Sequence, residues 1–133
     1  MSEVSEERPT VLVVDDEEDL RDIMQRMLER RGFATLVAGD PDQAVAVCRE
    51  HSGPIDVLVT DLGLPGVSGG EMARSCTQLR PDMGVVYISG LPKDIAVTKG
   101  LIGEDALLVK KPFTSDVLLD ALRLILAEKA PTS

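Results

Sequence analysis

Short apolar runs alternate with amphipathic segments along the chain. Five runs rich in branched apolar residues are predicted to be buried strands: residues 11–14, 33–38, 56–60, 84–89 and 106–109. Between them apolar residues recur at the spacing of a helix face, most clearly at Leu20, Ile23, Met24, Met27 and Leu28. Five strands that alternate with helices predict one parallel sheet with helices on both faces.

Turn and capping residues indicate where the helices begin and end. Gly32 is the predicted stop of the first helix, and Asp40 followed by Pro41 is typical of a helix start. The later helices are predicted at residues 71–79, 93–101 and 115–130, the last of them capped by Thr114 or Ser115.

Polar residues follow four of the strands, at the edge where parallel sheets collect their ligands. Asp15 and Asp16 follow the first strand, Asp61 the third and Lys111 the fifth, while Ser89 ends the fourth. Taken singly, each has an ordinary explanation as a helix-start acid, a turn residue or a surface charge. Together they predict three carboxylates, a hydroxyl and an ammonium group at one edge of the sheet.

These groups suit a divalent cation. Mg²⁺ prefers six oxygen ligands and commonly takes one or two carboxylates, several waters and a phosphate oxygen. Asp16 and Asp61 are predicted to bind it directly, Asp15 through a water or by supporting the site, and Gly63 through its backbone carbonyl. Mn²⁺ is the expected substitute.

The same groups suit phosphoryl transfer. A carboxylate beside a divalent cation can attack phosphorus and become an acyl phosphate, which assigns Asp61 as the nucleophile. Lys111 would neutralise one phosphoryl oxygen, and Ser89 would donate a hydrogen bond to another.

Composition bears on partners and location. The 133 residues suit one domain, and 23 acidic against 14 basic residues give a net charge of -9, which argues against direct binding of nucleic acid. No apolar run approaches the roughly 20 residues that span a bilayer, and the acidic start MSEVSEERP is unlike a signal peptide. A cytoplasmic protein is expected, with Cys48 and Cys76 as buried free thiols.

Four motifs carry a family resemblance. VLVVDDE, DVLVTDLGLPGVSG, VVYISG and LVKKPF occur in this order, and over residues 10–129 the chain resembles the receiver domain of bacterial two-component response regulators. The resemblance implies a single flavodoxin-like α/β domain of three layers with strand order 2-1-3-4-5, flanked by tails at residues 1–9 and 130–133. Periodicity predicts the five βα units but not their order. The motifs also look like receivers attached to hybrid histidine kinases.

The resemblance implies a role for each residue at the sheet edge. Asp61 matches the phosphoacceptor, Asp15 and Asp16 the metal-binding acids, Ser89 the Ser/Thr switch position, and Lys111 the lysine of a Lys-Pro motif whose peptide bond is commonly cis. The implied function is a signalling module, not an enzyme with other substrates. It would take a phosphoryl group from the phosphohistidine of a histidine kinase or phosphotransfer protein and catalyse only its own phosphorylation and dephosphorylation.

Three alternatives compete with that function. Leu108 stands where the family usually has an aromatic switch residue, so a pseudo-receiver that binds partners without phosphorylation is the main alternative. An aspartate-nucleophile phosphatase would commonly have a second acid where Gly63 stands. A flavin phosphate would be repelled by the five consecutive acids from Asp15 to Asp19.

The last helix carries more apolar residues than one core face needs. Its expected core stripe is Leu118, Ala121, Leu122 and Ile125, which leaves Val117 and Leu124 and, less clearly, Leu119 and Leu126. Either the core stripe is wide, or the surplus forms a partner surface such as that of a homodimer.

Overall fold

The computed structural model describes residues 8–63 and 68–129. Its elements in chain order are β1 (Thr10–Val14), α1 (Glu18–Arg30), β2 (Ala34–Ala38), α2 (Pro41–Glu50), β3 (Val57–Asp61), α3 (Gly69–Leu79), β4 (Gly84–Ser89), α4 (Lys93–Thr98), β5 (Leu107–Lys110) and α5 (Ser115–Lys129). The five strands form one parallel sheet in the order β2-β1-β3-β4-β5. The predicted fold class and strand order are confirmed.

The sheet separates two apolar layers. Val11 and Val13 pack on the side of α1 and α5, whereas Leu12 and Val14 pack on the side of α2 and α3. All four side chains are fully buried, which explains why the strand is apolar at every position rather than at alternate ones. The short α4 packs through a smaller cluster that contains Ala96.

The helix caps follow the predicted residues. Gly32 has a φ of 93° just after α1, a conformation that glycine adopts without steric cost. Asp40 Oδ1 accepts a hydrogen bond from the Gln43 amide at 2.8 Å at the start of α2. Thr114 Oγ1 accepts one from the Val117 amide at 3.3 Å, so Thr114 rather than Ser115 caps α5.

Two helix limits differ from the prediction. Ser68 and Glu71 form a capping box, in which the Glu71 amide donates to Ser68 Oγ at 3.2 Å, so α3 begins at Gly69 rather than at Glu71. The fourth helix ends at Thr98, before the predicted end at residue 101, because the chain turns at Gly100, where φ is 76°. The limits of β1, β2, β3 and β5 shift by one residue.

The core face of α5 is wide. Leu119 is 1% exposed and belongs to the core, and Leu126 packs partly buried against it. Val117 and Leu124 remain 48% and 52% exposed. The surplus is therefore smaller than the sequence suggested, and a homodimer through this helix stays a prediction.

The predicted tails fall almost entirely on residues outside the described part of the chain, which begins at residue 8 and ends at residue 129. The Pro9 carbonyl accepts a hydrogen bond from the Ala34 amide at 2.9 Å and so extends the pairing of β1 with β2. Among the described helices, none combines the length and the apolar character that crossing a bilayer requires.

The start of α3 packs directly on the chain at the end of β3. A Cβ atom on Gly69 would lie 2.4 Å from the Asp61 carbonyl oxygen and 2.9 Å from Leu62 Cα, both of them backbone atoms. We expect Gly69→Ala to lower the free energy of unfolding by about 1–3 kcal/mol, the usual cost of overpacking. Urea denaturation measures this loss.

Gly103→Ala is the matched control, because no heavy atom lies within 4 Å of the Cβ that it would add. It should change the free energy of unfolding by less than about 1 kcal/mol. Equal losses in the two variants would contradict the close packing of α3 on Asp61.

Candidate functional site

The end of β1 brings two acids to the edge of the sheet. Asp15 directly follows the strand, and its Oδ1 accepts a hydrogen bond from the Glu17 amide at 2.8 Å, at the start of α1. Its carbonyl accepts a hydrogen bond from Arg21 Nη1 at 3.0 Å. Asp15 is fully buried, whereas Asp16 is exposed. One acid is thus fixed in the fold, and its neighbour is open to solvent.

The third acid is the last residue of β3. Asp61 has a side chain that is 12% exposed, and its two carboxylate oxygens have different partners. Oδ1 accepts a hydrogen bond from the Gly63 amide at 3.0 Å, and Oδ2 lies 2.8 Å from Lys111 Nζ. The carboxylate is therefore oriented by the loop after β3 on one side and by an ammonium group on the other.

Ser89 and Lys111 come from the two neighbouring strands. The Lys111 amide donates to the Ser89 carbonyl at 2.7 Å, which fixes the end of β5 against the end of β4. Ser89 Oγ accepts a hydrogen bond from the Leu91 amide at 2.9 Å, and the residue is buried. Since the hydroxyl accepts there, its own proton is available to another acceptor. The Lys111-Pro112 peptide bond is cis, as the resemblance implied.

Three carboxylates share a small volume at this edge. Asp15, Asp16 and Asp61 each offer an oxygen, and these oxygens all lie within 4.8 Å of one another. Burial raises the pKa of Asp15 above its ordinary value, and the negative charges of Asp61 and Asp16 raise it further, against the hydrogen bond from Glu17. Like charges so close together are unfavourable unless a positive charge lies among them.

Lys111 supplies part of that positive charge. Its burial would lower its pKa, but the hydrogen bond to Asp61 and the negative charges of Asp61 and Asp15 raise the pKa above its ordinary value. The amine therefore stays protonated across the physiological range. Its ammonium group contacts Asp61, whereas within residues 8–63 and 68–129 no ion pair is formed by Asp15 or Asp16.

The fit to a cation rests on one further atom. Asp15 Oδ2 is buried and, among the described residues, has no hydrogen-bond partner. A buried carboxylate oxygen without a hydrogen-bond partner is unfavourable. It is expected where the oxygen serves as a ligand of a cation. The acid cluster can therefore hold a metal ion between Asp15, Asp16 and Asp61.

Gly63 lies beside Asp61, whereas the three remaining acids of the run lie at the start of α1. The Gly63 amide orients Asp61, and the part of its carbonyl as a metal ligand stays a prediction. Glu17 precedes α1, and Glu18 and Asp19 lie in its first turn, where acids stabilise the positive end of a helix. The five consecutive acids therefore divide into two at the site and three at the helix start.

Sequence analysis missed two features beside the site. Arg21 holds the Asp15 carbonyl, and an apolar groove of about 710 Å³ lies next to Lys111. The groove is lined by Leu20, Ile23, Met24, Met27, Pro112, Phe113 and Ser115, besides Lys111. Its two sides are distant along the chain, so only the packing of α1 against the chain after β5 creates it. The sequence places Ile23 on the apolar stripe of α1, and only the structure shows that this side chain is 61% exposed.

Comparison with known proteins places the chain among signalling proteins. The family model described as "Response regulator receiver domain" matches residues 11–123. Sensory transduction protein RegX3 of Mycolicibacterium smegmatis is 37% identical over 124 residues, which cover 91% of this chain and 52% of RegX3. Sensor kinase CckA of Brucella abortus is 31% identical over 85 residues, which cover 64% of this chain and 9% of CckA.

Solved structures agree with the family model. The response regulator receiver protein from Sinorhizobium medicae WSM419 superposes with a TM-score of 0.80 at 29% identity, covering 93% of this chain and 98% of that one. The chain spans about half the length, or less, of curated relatives such as RegX3 and the transcriptional regulatory proteins AruR and DctD of Pseudomonas aeruginosa. By its motifs, its strand order and these matches, the chain belongs to the receiver domain family of two-component response regulators.

Proposed function

We propose that the protein is a phosphorelay module that accepts a phosphoryl group on Asp61 from the phosphohistidine of a histidine kinase or phosphotransfer protein, with Mg²⁺ bound. One observation carries the proposal. The Asp61 carboxylate contacts an ammonium group at 2.8 Å and has oxygens of two further carboxylates within 4.8 Å. The proposed nucleophile thus contacts one cation and belongs to a cluster suited to a second.

The metal ligands in this proposal are Asp15, Asp16, Asp61 and the Gly63 carbonyl. The unpartnered Oδ2 of buried Asp15 supports this set. Bound Mg²⁺ would supply positive charge to the phosphoryl oxygens and remove the repulsion among the three acids.

The protein side of the reaction needs three residues. An Asp61 oxygen forms a bond to phosphorus while the phosphorus–nitrogen bond to the donor histidine breaks, and the imidazole keeps that electron pair. Lys111 Nζ, which already contacts Asp61 Oδ2, neutralises one phosphoryl oxygen. The Ser89 hydroxyl, buried at the end of β4, donates its proton in a hydrogen bond to another.

The donor protein would dock on the apolar groove beside the acceptor. Lys111 borders both the groove and Asp61, so a surface seated in the groove has its reactive histidine close to the carboxylate. The exposed Ile23 would be covered in that complex. A helical surface of a histidine kinase or phosphotransfer protein is the occupant that we propose.

A signalling role is favoured over the alternatives. The pseudo-receiver hypothesis rested on Leu108, which packs beside Tyr87 in the small cluster under α4, and that packing leaves the acceptor residues intact. A phosphatase has less support because the residue two positions after Asp61 is glycine, which carries no acid to protonate a leaving group.

A small phosphodonor should phosphorylate the protein on Asp61. Incubation with a small phosphodonor and Mg²⁺ should add one phosphoryl group to the wild-type protein and none to Asp61→Asn, as measured by intact mass. Asp56→Asn is the control, since Asp56 lies at the opposite end of β3, where its Oδ2 accepts from the Thr10 amide at 2.7 Å. An equal adduct in Asp61→Asn would refute the assignment of the acceptor.

Removal of one proposed metal ligand should weaken the binding of Mg²⁺. Asp16→Ala should weaken Mg²⁺ binding by about tenfold or more, equal to about 1.4 kcal/mol. Asp19→Ala, an exposed acid in the same run, should leave the affinity within about twofold. Calorimetric titration measures the affinity, and Mn²⁺ broadening of nearby amide NMR signals locates the ion. Equal affinities in the two variants would mean that the run of acids attracts Mg²⁺ only by its overall charge.

The buried Oδ2 of Asp15, which has no hydrogen-bond partner among the described residues, predicts a stability effect in the absence of metal. Because the pKa of Asp15 is raised in the folded state, its charge destabilises the fold above that pKa. The destabilisation disappears as pH falls through that pKa towards the unfolded value. At pH 7 in a chelator, Asp15→Asn should therefore raise the free energy of unfolding by about 1 kcal/mol, and the gain should shrink in acid.

The matched control for this effect is Asp22→Asn, an exposed acid on α1. It should shift the free energy of unfolding by less than about 0.5 kcal/mol at either pH. Added Mg²⁺ should stabilise the wild type more than Asp15→Asn. If Asp15→Asn destabilised the metal-free protein, Asp15 would not be an unsatisfied charge.

A further inference from the structure

The backbone of Asp15 is held by two other segments of the fold. Its amide donates a hydrogen bond to the Ala38 carbonyl at 3.3 Å, at the end of β2. Its carbonyl accepts one at 3.0 Å from Nη1 of Arg21, a partly buried residue near the start of α1. The Glu17 amide donates to Oδ1 at 2.8 Å. Only Oδ2 of this residue is then left, and it is the buried oxygen without a partner among the described residues.

The bond from Arg21 restrains both acids of the pair. The carbonyl that it binds belongs to the planar peptide unit between Asp15 and Asp16, so a turn of this unit redirects the two side chains relative to each other. Asp16 is exposed, and burial therefore does not fix its direction. A hydrogen bond from a charged guanidinium is stronger than one between neutral groups. Since the other bonds to Asp15 come from backbone amides or go to a backbone carbonyl, a side-chain substitution can remove this one alone.

Gly39 leaves the space that the guanidinium occupies. A Cβ atom on Gly39 would lie 2.9 Å from Arg21 Nη1 and 3.7 Å from Arg21 Cζ. The backbone at this glycine is itself fixed, because its amide donates to Gln43 Oε1 at 2.9 Å. The guanidinium ends a flexible side chain, so a methyl group at position 39 would move the guanidinium rather than the loop. The loop after β2 thus gives Arg21 access to the Asp15 carbonyl.

We propose that Arg21 is a positioning residue for the metal site, which holds the peptide between Asp15 and Asp16 so that an oxygen of each acid stays close to Asp61. Arg21 does not bind the ion and acts only through the Asp15 carbonyl. This inference rests on the proposed function, because it concerns the cluster that would hold Mg²⁺. Charge alone predicts the opposite effect, since a nearby cation repels Mg²⁺ and its removal should strengthen binding. The sign of the change in affinity therefore separates positioning from charge.

Calorimetric titration of the full-length protein with Mg²⁺ tests the sign. Arg21→Gln should weaken binding by about tenfold, the usual loss when a group that orients a metal ligand is removed. Arg26→Gln is the matched control, because it removes the same charge from an exposed position of α1 and should leave the affinity within about twofold. A wild type that binds no Mg²⁺ would refute the proposed function and this inference with it. Binding in the wild type that Arg21→Gln leaves equal or strengthens would overturn this inference alone.

Gly39→Ala tests the same contact while the charge of Arg21 is kept. Its methyl group should displace the guanidinium and weaken Mg²⁺ binding, whereas Gly103→Ala, which adds a methyl group with no heavy atom within 4 Å, should not. In the Arg21→Gln background the Gly39→Ala change should cause no further loss, because the bond that it disturbs is already gone. A loss from Gly39→Ala as large in that background as in the wild type would contradict a shared mechanism and overturn the proposal.

NMR spectra recorded in a chelator observe the peptide itself without metal. In Arg21→Gln and in Gly39→Ala the ¹³C signal of the Asp15 carbonyl and the amide signal of Asp16 should shift, because the carbonyl loses its charged donor. The Gly63 amide, which binds Asp61, should keep its wild-type position. An Asp15 carbonyl signal that Arg21→Gln leaves unchanged would overturn the proposal. Shifts spread through both apolar layers would also overturn it, because Arg21 would then support the fold as a whole rather than the acid pair.

Discussion

Three carboxylates at the edge of a parallel sheet each have an oxygen within 4.8 Å of the others. Their negative charges repel one another, and most features of the site follow from this repulsion. The chain pairs β1 with β3 in parallel, so Asp15 and Asp61 reach the same edge whether or not their charges favour it. One ammonium group, that of Lys111, contacts Asp61. Asp15 keeps a buried oxygen without a partner among the described residues, and a divalent cation would complete the charge balance.

Burial of the apolar strands beneath the site offsets the unfavourable repulsion among the acids. Val11 to Val14 are fully buried between two helix layers, so the sheet has little freedom to move its acids apart. The backbone supports the same geometry, since the Lys111 amide binds the Ser89 carbonyl and the Gly69 position admits no side chain against Asp61. The Asp61 carboxylate is thus held in a fixed orientation, which is the condition for catalysis by positioning that its proposed role as phosphoryl acceptor requires.

Much of the fold was predictable because the relevant signals are local. Continuous apolar runs and apolar helix stripes predicted the five βα units. Gly32 ends α1 and Asp40 caps α2, as the chemistry of the two residues indicated. The order of the strands came from the family resemblance, since periodicity carries no information on which strands pair. The start of α3 was misplaced by two residues because Gly69 and Gly70 have weak helix propensity, and the capping box of Ser68 and Glu71 overrides it.

The site residues were predictable because strand ends meet at one edge, but the contacts between elements were not. Cys48 and Cys76 are buried free thiols, as predicted, but their membership of one apolar cluster depends on how α2 and α3 pack. Leu119 looked like a possible surplus residue, but it is 1% exposed and belongs to the core cluster. The groove beside Lys111 and the bond from Arg21 to Asp15 likewise depend on how distant segments pack.

The central claim is that Asp61 is the residue that carries the phosphoryl group. Borohydride reduces an aspartyl phosphate to homoserine, so treatment of the protein after incubation with a phosphodonor and Mg²⁺ marks the acceptor permanently. Peptide mass spectrometry should find homoserine at position 61, and aspartate unchanged at positions 15 and 16. Homoserine at either of those positions instead, or at none in a protein that is folded and binds Mg²⁺, would contradict the account.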